Sequence, residues 1–420
     1  MHVLITSDTV GGVWTYTQDL ATGLAQRGHR VTLVSFGKLP TPHQTAWMQM
    51  LPGVDYRPTE YRLEWMETAE RDIDESRRYL ELLVREVSPD VLHFSQYCYG
   101  DIDADVPRIV VAHSDVVSWW VAVHSKEPDD TPWMRRYRGH VKSGLRGADL
   151  VVAPSAWMLD TLTRHYGRPE HGTVIYNGRN PELFAPDQGK EAFALSVGRI
   201  WDEGKYISLL LESKGILYGE NATSQHADVV AQKSSRPVGA HANSPALQRW
   251  EDSGSDVSPE GTDESSKNPL PHIRIVGWEQ EPGREKKALP TCPDNVQLLG
   301  PKSQAELREL YATAAIYIAT SRYEPFGLSP LEAALSGCAL VMNDIPVFHE
   351  LWGNAALYFQ RNDPHALAEL IGELKHSPGL REQYGARAYE TARRKFTAAR
   401  MVEEYEGAYQ QVAVPIARLA

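Results

Sequence analysis

The sequence predicts an α/β protein built from two Rossmann-like domains. In both halves of the chain, short apolar runs typical of buried parallel strands alternate with apolar residues at helical spacing. The 420 residues are too many for one ordinary core, so two domains of about 200 residues are expected. A polar stretch from Pro186 to Lys190 has the composition of a linker. We therefore assign residues 1–185 to a first domain and residues 191–397 to a second.

Composition argues against several classes of function. The formal net charge of -12 disfavours a general nucleic-acid binder. The three cysteines, Cys98, Cys292 and Cys338, show no C-x-x-C spacing, which indicates neither a disulfide framework nor a zinc site and fits a reducing cytoplasm. The sequence contains no uncharged apolar run of membrane-spanning length, and its start lacks the pattern of a signal peptide. We expect a cytoplasmic protein that contacts a membrane at most at its surface.

The first domain opens with a βαβ unit. A strand from Val3 to Ser7 and a Gly11-Gly12 turn lead into a helix, and a second strand runs from Val31 to Phe36. The residues that repeat at helical spacing between them are Val13, Thr17, Leu20 and Leu24. The loop from Thr9 to Val13 is not G-x-G-x-x-G, and no acidic residue closes the second strand, which disfavours a dinucleotide-dependent oxidoreductase.

One further strand of the first half ends at a histidine. Additional strands are predicted at residues 89–94, 108–112, 149–153 and 173–176. His113 directly follows the second of these, at the end of a strand where open α/β sheets bind ligands, although a lone histidine is commonly structural. The triplets Asp101-x-Asp103 and Asp103-x-Asp105 look like metal-binding motifs, but they lie in a polar loop and such triplets are frequent by chance. We predict no metal site.

The second half begins with a strand and two cations. After the strand from Phe193 to Val197 come Gly198-Arg199 and, past a polar turn, Lys205. An arginine fork and a compact lysine charge at a strand-to-helix junction suit a pyrophosphate, although both could be ordinary surface charges. Later elements of this half are predicted as strands at 273–277, 296–300, 314–319 and 339–342, and as a helix at 304–312.

An insert interrupts the second half from about residue 213 to 269. The segment is rich in Ser, Gly, Asn and Pro, and its stretch from Glu251 to Glu264 carries six acids and no base. Such a composition cannot bury a core. We expect that replacing Thr223 to Ser266 with a short linker leaves a folded protein.

The stretch from Ser321 to Glu332 carries two carboxylates beside a predicted helix start. Glu324 and Glu332 are eight residues apart, and Gly327 between them permits close backbone approach. Ser329 is a good N-cap, which would make Ser329-x-x-Glu332 a capping box that needs no ligand. Alternatively, the helix start forms an anion site flanked by both carboxylates.

The Glu324-x7-Glu332 spacing around Pro325-Phe326-Gly327-Leu328 resembles the signature of the retaining, nucleotide-sugar glycosyltransferases of family 4. Gly198-Arg199 and Lys205 resemble the donor clamp of that family, and the likeness covers nearly all the chain apart from the insert. It implies the GT-B fold, in which two Rossmann-like domains face each other across a cleft. It also implies that the last helix, within residues 398–420, crosses back to the first domain.

The resemblance implies transfer of a sugar from a nucleoside-diphosphate sugar to a sugar, glycan or lipid-linked acceptor, without metal or cofactor, in glycan, polysaccharide or glycolipid biosynthesis. By this resemblance the catalytic residues are His113, Glu324, Arg199 and Lys205. The implied donor-binding residues are Gly12, Arg199, Lys205, Phe326, Gly327, Leu328 and Glu332. The chain departs from the family at position 180, where Asn180 replaces the usual aspartate. The alternatives are a GT-B-fold epimerase of the nucleotide sugar and a non-catalytic scaffold.

Four basic residues of the first half form a stripe at helical spacing: Arg135, Arg138, Lys142 and Arg146. They run beside the apolar line of Tyr137, Val141 and Leu145. The stripe is either a solvated helix face or a contact for anionic lipid or a phosphate-bearing acceptor.

Overall fold

The structure is a computed structural model that describes residues 1–9, 11–186, 189–217, 272–277 and 296–413. Residues 218–271 lie outside it, and with them most of the predicted insert and its proposed replacement. The start of the insert was placed too early, since a helix of the second domain runs from Ser208 to Leu217. Its buried leucines, Leu209, Leu210 and Leu211, explain why the chain stays helical there.

The first sheet contains seven parallel strands in the order β3-β2-β1-β4-β5-β6-β7. Its strands are β1 (His2–Asp8), β2 (Arg30–Phe36), β3 (Val54–Pro58), β4 (Val91–Phe94), β5 (Arg108–Val111), β6 (Leu150–Ala153) and β7 (Gly172–Val174). The sequence did not predict β3, because this edge strand is partly exposed and has no continuous apolar run. The helices are α1 (Gly12–Gln26), α2 (Pro42–Thr45), α3 (Glu70–Val87), α4 (Val116–His124), α5 (Pro132–Gly147) and α6 (Ala156–Tyr166).

The second sheet contains six parallel strands in the order β10-β9-β8-β11-β12-β13. They are β8 (Glu191–Val197), β9 (His272–Val276), β10 (Val296–Leu298), β11 (Ala314–Ala319), β12 (Ala339–Asn343) and β13 (Leu357–Phe359). Its helices are α7 (Ser208–Leu217), α8 (Gln304–Thr313), α9 (Leu328–Leu335), α10 (Pro346–Trp352), α11 (Pro364–His376) and α12 (Pro378–Lys395). The α/β class with two Rossmann-like sheets is confirmed.

Each sheet is buried on both faces by an apolar layer, which explains why most strands are continuous apolar runs. In each sheet the strand order reverses beside the first strand, between β1 and β4 and between β8 and β11. Loops leave the strands in opposite directions at such a switch point, which opens a crevice at the carboxyl ends. The fold therefore predicts one ligand crevice for each sheet.

The final helix α13 (Ala398–Ala413) packs on the first sheet rather than on the second. Its Met401, Val402 and Tyr405 join an apolar cluster with residues of β1 and α1. The Tyr409 hydroxyl lies 2.8 Å from Nδ1 of His93 on β4. Among the described helices, none combines the length and the apolar character that a membrane span requires.

Candidate active site

The candidate site lies where loops from the two sheets meet at the carboxyl ends of their strands. Ser155 Oγ, at the start of α6, donates to the carbonyl of Pro325 at 2.6 Å. A Cβ built on Gly12, at the start of α1, would lie 3.6 Å from Leu328 Cδ1 on α9. These contacts bring the turn after β1 next to the predicted donor-binding stretch, and the two switch points therefore face one cleft.

The loop after β8 orients Arg199 through a buried aspartate. Asp202 Oδ2 accepts hydrogen bonds from Arg199 Nε at 3.1 Å and Nη2 at 2.6 Å. Its Oδ1 accepts from the backbone of Gly204 at 2.8 Å and from Trp119 Nε1 of α4 at 3.3 Å. The side chain of Arg199 stays 44% exposed although Asp202 is buried, so its guanidinium is positioned and still accessible. The sequence analysis missed Asp202. The only local signal of its role was the spacing of three residues from Arg199, which allows an ion pair.

Lys205 and Glu324 form an ion pair between two loops of the second sheet. Thr320 Oγ1, just past β11, donates to the carbonyl of Lys205 at 2.8 Å. The backbone N–H groups of Arg322 and Tyr323 donate to the carbonyl of Gly204 at 2.8 and 3.3 Å. The loops after β8 and β11 are thus fixed to each other, and they place the predicted lysine and the first predicted glutamate in direct contact.

Asn343 supports the loop after β11 from the neighbouring strand β12. Its buried Nδ2 donates to the carbonyls of Thr320 and Ser321 at 3.3 and 3.1 Å. Its Oδ1 accepts from the backbone N–H of Asn362 at 2.9 Å. The sequence placed this residue in an ordinary turn, because nothing local shows that its amide binds a loop about twenty residues away.

Helix α9 starts two residues earlier than the sequence predicted. Gly327 is the N-cap with φ 94°, and no side chain caps the helix, so the predicted Ser329 cap and its capping box with Glu332 were wrong. The positive φ, which glycine adopts without strain, turns the chain directly from the loop into the helix. Ser329 and Pro330 become the second and third helical residues, and the open end presents the backbone N–H groups of Leu328 and Ser329.

Phe326 supports this stretch from beneath instead of lining the cleft. Its side chain is buried in the core of the second domain, with its ring centroid 5.4 Å from that of Phe396. The resemblance to family 4 implies that Phe326 binds the donor. Because its side chain is buried, only its backbone can face a donor.

Glu332 is held by charge rather than by capping. Its Oε1 lies 2.9 Å from Nε of Arg179, which also pairs with Asp19 of α1. All three residues are buried. Burial raises the pKa of Glu332, and the positive charge of Arg179 opposes that rise. The sequence examined position 180 and missed its neighbour, Arg179. The Asn180 side chain accepts from the backbone N–H of Glu182 and has a local structural role.

His113 faces the cleft from the first sheet in a neutral environment. Its Nε2 lies 3.2 Å from Ser95 Oγ, and its ring centroid lies 4.6 Å from that of Tyr16. Burial lowers the pKa of His113 to about 3, and it lowers that of neighbouring His93 to about 3 as well. His113 is therefore uncharged near neutral pH, where it suits hydrogen bonding to a hydroxyl better than general base catalysis.

Tyr323 joins the two halves of the site. Its hydroxyl lies 3.1 Å from Ser114 Oγ and accepts from the backbone N–H of Asp115 at 3.3 Å. Asp115 is the N-cap of α4, and its Oδ1 also accepts from Tyr166 at 2.8 Å. Glu324 follows Tyr323 in the chain, and His113 precedes Ser114. The contact therefore brings Glu324 and His113 to the same part of the cleft.

Two other features lie away from this cleft. Asp101, in the possible metal-binding triplets, pairs with Arg77 and accepts from Ser143, so its carboxylate has a structural role. A cavity of about 550 Å³ lies beside Leu150 and Gly172, at the amino ends of β6 and β7. Ligands of open α/β sheets bind at the carboxyl ends, so this cavity is not the candidate site.

Two family models match the chain. The model described as Glycosyltransferase Family 4 matches residues 10–183, and the model described as Glycosyl transferases group 1 matches residues 263–391. A curated relative, the O-antigen chain mannosyltransferase RfbU of Salmonella typhimurium, is 36% identical over 243 residues. That match covers 58% of this chain and 55% of the relative, so the chain spans about half the length of RfbU.

Solved structures share the architecture over the whole chain. Sucrose-phosphate synthase from Thermosynechococcus elongatus superposes with a TM-score of 0.70 at 16% identity, covering 98% of each chain. HepE of Anabaena in complex with UDP-glucose superposes with a TM-score of 0.67 at 13% identity, covering 98% of this chain and 100% of its own. At these identities the likeness establishes the fold.

Proposed function

The chain belongs to glycosyltransferase family 4 and has the GT-B fold, and from this membership we propose that it transfers a sugar from a nucleoside-diphosphate sugar to a hydroxyl group of an acceptor, with retention of configuration. The observation that carries the proposal is the cluster of Arg199, Lys205 and Glu324 at the switch point of the second sheet. The likeness to RfbU and to HepE bound to UDP-glucose supports a nucleotide-sugar donor.

The cations of this cluster suit the diphosphate of the donor. Cleavage of the bond between the anomeric carbon and the phosphate oxygen leaves additional negative charge on the nucleoside diphosphate. Arg199 would bind that charge as a fork and Lys205 as a compact ammonium, with the N–H groups at the start of α9 nearby. Asp202 and Glu324 orient these cations before the donor arrives, which is the preorganisation that electrostatic catalysis requires.

Carboxylates and a neutral histidine would hold the remaining parts of the donor. Glu332 would accept the ribose hydroxyls, and the Gly11-Gly12 turn would let the backbone approach the donor closely. Glu324 and His113 would bind the hydroxyls of the transferred sugar. Since His113 is uncharged, its contribution is hydrogen bonding and positioning.

The reaction we propose exchanges one bond at the anomeric carbon for another. The acceptor oxygen forms its bond on the face that the leaving phosphate vacates, and the acceptor proton passes to a phosphate oxygen of the leaving group. The products are the glycoside and the nucleoside diphosphate. We propose that protein cations balance the charge without a metal ion, so turnover should persist in excess EDTA.

The decisive experiment supplies UDP-glucose or GDP-mannose with and without candidate glycan acceptors and follows release of the nucleoside diphosphate. A glycosyltransferase forms a glycoside only when the acceptor is present. An altered nucleotide sugar that appears without an acceptor would instead show an epimerase. A thermal-shift screen in which no nucleotide binds would show a non-catalytic scaffold. A ligand at 100 times its dissociation constant should stabilise the fold by about 2.7 kcal/mol.

We also propose that the basic stripe on α5 touches anionic lipid or a phosphate-bearing acceptor. The helix buries Tyr137, Val141 and Leu145 and leaves Lys142 and Arg146 exposed. Arg135 already pairs with Asp130 and Arg138 with Glu127, which reduces the net charge of the stripe. Co-sedimentation with phosphatidylserine vesicles at low salt, lost when the four residues become Gln, would support the contact; no co-sedimentation would refute it.

A further inference from the structure

Arg179, Asp19 and Glu332 form a buried charge cluster that joins the two domains. Arg179 follows β7, Asp19 lies on α1 of the first domain, and Glu332 lies on α9 of the second. None of the three residues is more than 8% exposed. The cluster carries one positive and two negative charges when all three groups are ionised, so the two carboxylates share one cation and a net charge of −1 remains.

The backbone holds Arg179 firmly between these partners. Its N–H donates to the carbonyl of Phe396 at 3.0 Å, and its carbonyl accepts from the N–H of Ala398 at 2.9 Å. At the other end, Nη1 donates a hydrogen bond to Asp19, and Nε forms an ion pair with Glu332 at 2.9 Å. The two ion pairs place both carboxylates next to the same cation.

The charge state of Glu332 depends on this cluster. Burial and the negative charge of Asp19 both raise the pKa of Glu332, and Arg179 is the cation that opposes them. From α8, Tyr311 lies close to Glu332, and the charge of Arg308 acts on Asp19. Helix α9 itself carries no other charged residue. Arg179 is the largest influence that lowers the pKa of Glu332, and a hydrogen bond from Tyr311 acts in the same direction.

We propose that Arg179 is a positioning residue, which keeps Glu332 ionised and oriented to accept the ribose hydroxyls of the donor against the opposing charge of Asp19. This inference rests on the function proposed above. An ionised carboxylate accepts both hydroxyls of a ribose, whereas a protonated one gives up part of its acceptor capacity. Neither Arg179 nor Asp19 needs to touch the nucleotide for this role.

Two substitutions should move the pH dependence of nucleotide binding in opposite directions. Arg179→Gln removes the compensating cation, so UDP or GDP should bind more weakly at neutral pH, by about tenfold for each pH unit below the new pKa of Glu332. Affinity should recover as the pH is raised. Asp19→Asn removes the like charge, so the midpoint should move to lower pH and neutral affinity should be preserved.

The measurement is isothermal titration calorimetry with UDP and with GDP across the pH range in which the protein stays folded. Affinities are expressed relative to Glu332→Gln at the same pH, because this cancels the titration of the nucleotide phosphates. The control is Arg393→Gln, which removes an arginine whose partner, Glu182, lies outside the cluster. It should bind as the unsubstituted protein does.

A merely structural cluster gives a different result. Weakening of equal size at every pH in Arg179→Gln, or a midpoint that stays fixed in both variants, would overturn the inference. If Arg179→Gln does not fold, a fixed midpoint in Asp19→Asn alone overturns it. Failure of the unsubstituted protein to bind either nucleotide would instead contradict the proposed function, so the two failures are distinguishable.

Discussion

The two halves of the cleft hold their functional side chains by different means. At β8 and β11, Arg199 and Lys205 are each paired with a carboxylate, and backbone bonds tie the two loops together. At β4 and β5, Ser95 and His113 form a neutral contact beside the Tyr16 ring. We propose from this contrast that the charged part of a donor is bound by the second domain alone, whereas the first domain contributes neutral hydrogen-bonding groups.

The largest effect is expected when the cations of the second domain are removed. Arg199→Ala and Lys205→Ala should each cost about 2 to 4 kcal/mol of transition-state stabilisation, because each removes a preorganised donor to the leaving group. Steady-state turnover is the measurement. Lys302→Ala is the control, since it removes an exposed lysine that pairs with Glu306 on α8. Turnover within about threefold of the unsubstituted enzyme in both clamp variants would contradict the role of these charges.

Glu324→Gln tests whether the charged half also reaches the sugar. We expect a loss of about 1.5 to 3 kcal/mol in kcat, the usual contribution of a hydrogen bond to a charged group. Binding of free UDP or GDP should be preserved or tighter, because Lys205 loses its carboxylate partner. Calorimetry and initial rates on the same variant separate the two effects. Parallel losses of nucleotide affinity and kcat would mean that Glu324 acts on the nucleotide.

The neutral half should be the acid-sensitive one. In the folded state the pKa of His93 is lowered to about 3, whereas the unfolded chain takes up its proton near 6.5. Between these values the unfolded state binds more protons, so the free energy of unfolding falls as the pH falls, by about 1.4 kcal/mol per pH unit for this histidine.

Below about pH 3, the pKa of His93 in the folded state, its contribution to the free energy of unfolding no longer changes with pH. His93→Gln should flatten the slope by that amount, as measured by urea unfolding between pH 4.5 and 6.5. The substitution of exposed His43 by Gln is the control. An unchanged slope in His93→Gln would show that the pKa of His93 is not lowered in the folded protein.

The smallest effect is expected where the halves meet. Tyr323→Phe removes the hydroxyl that contacts Ser114 and Asp115 and should lower the free energy of unfolding by about 1 kcal/mol. Tyr358→Phe is the matched control, because its hydroxyl donates to Phe348 and Gly353 within the second domain. Only Tyr323→Phe should also raise the donor KM. Equal kinetics in the two variants would show that the interdomain hydroxyl does not affect the site.

The sequence predicted the strand ends and several of the groups that stand on them. His113, Arg199 and Glu324 follow β5, β8 and β11, as the apolar runs indicated. Such predictions succeed because a strand buried on both faces must be a continuous apolar run, and its end is visible locally. The start of α9 was missed because Ser329 has cap chemistry, whereas the burial of Phe326 and the positive φ of Gly327 fix the helix start.

The residue types at the carboxyl ends of the buried strands can be identified from the amino-acid sequence, because hydrophobic periodicity is a local property. The partners of those residues become visible when the chain is folded. Lys205 meets Glu324 across 119 positions, Arg179 meets Asp19 across 160, and Asn343 meets Thr320 across 23. A charge or an amide carries no local record of its partner, since the partner is chosen when packing brings distant segments together and burial makes an unpaired polar group costly.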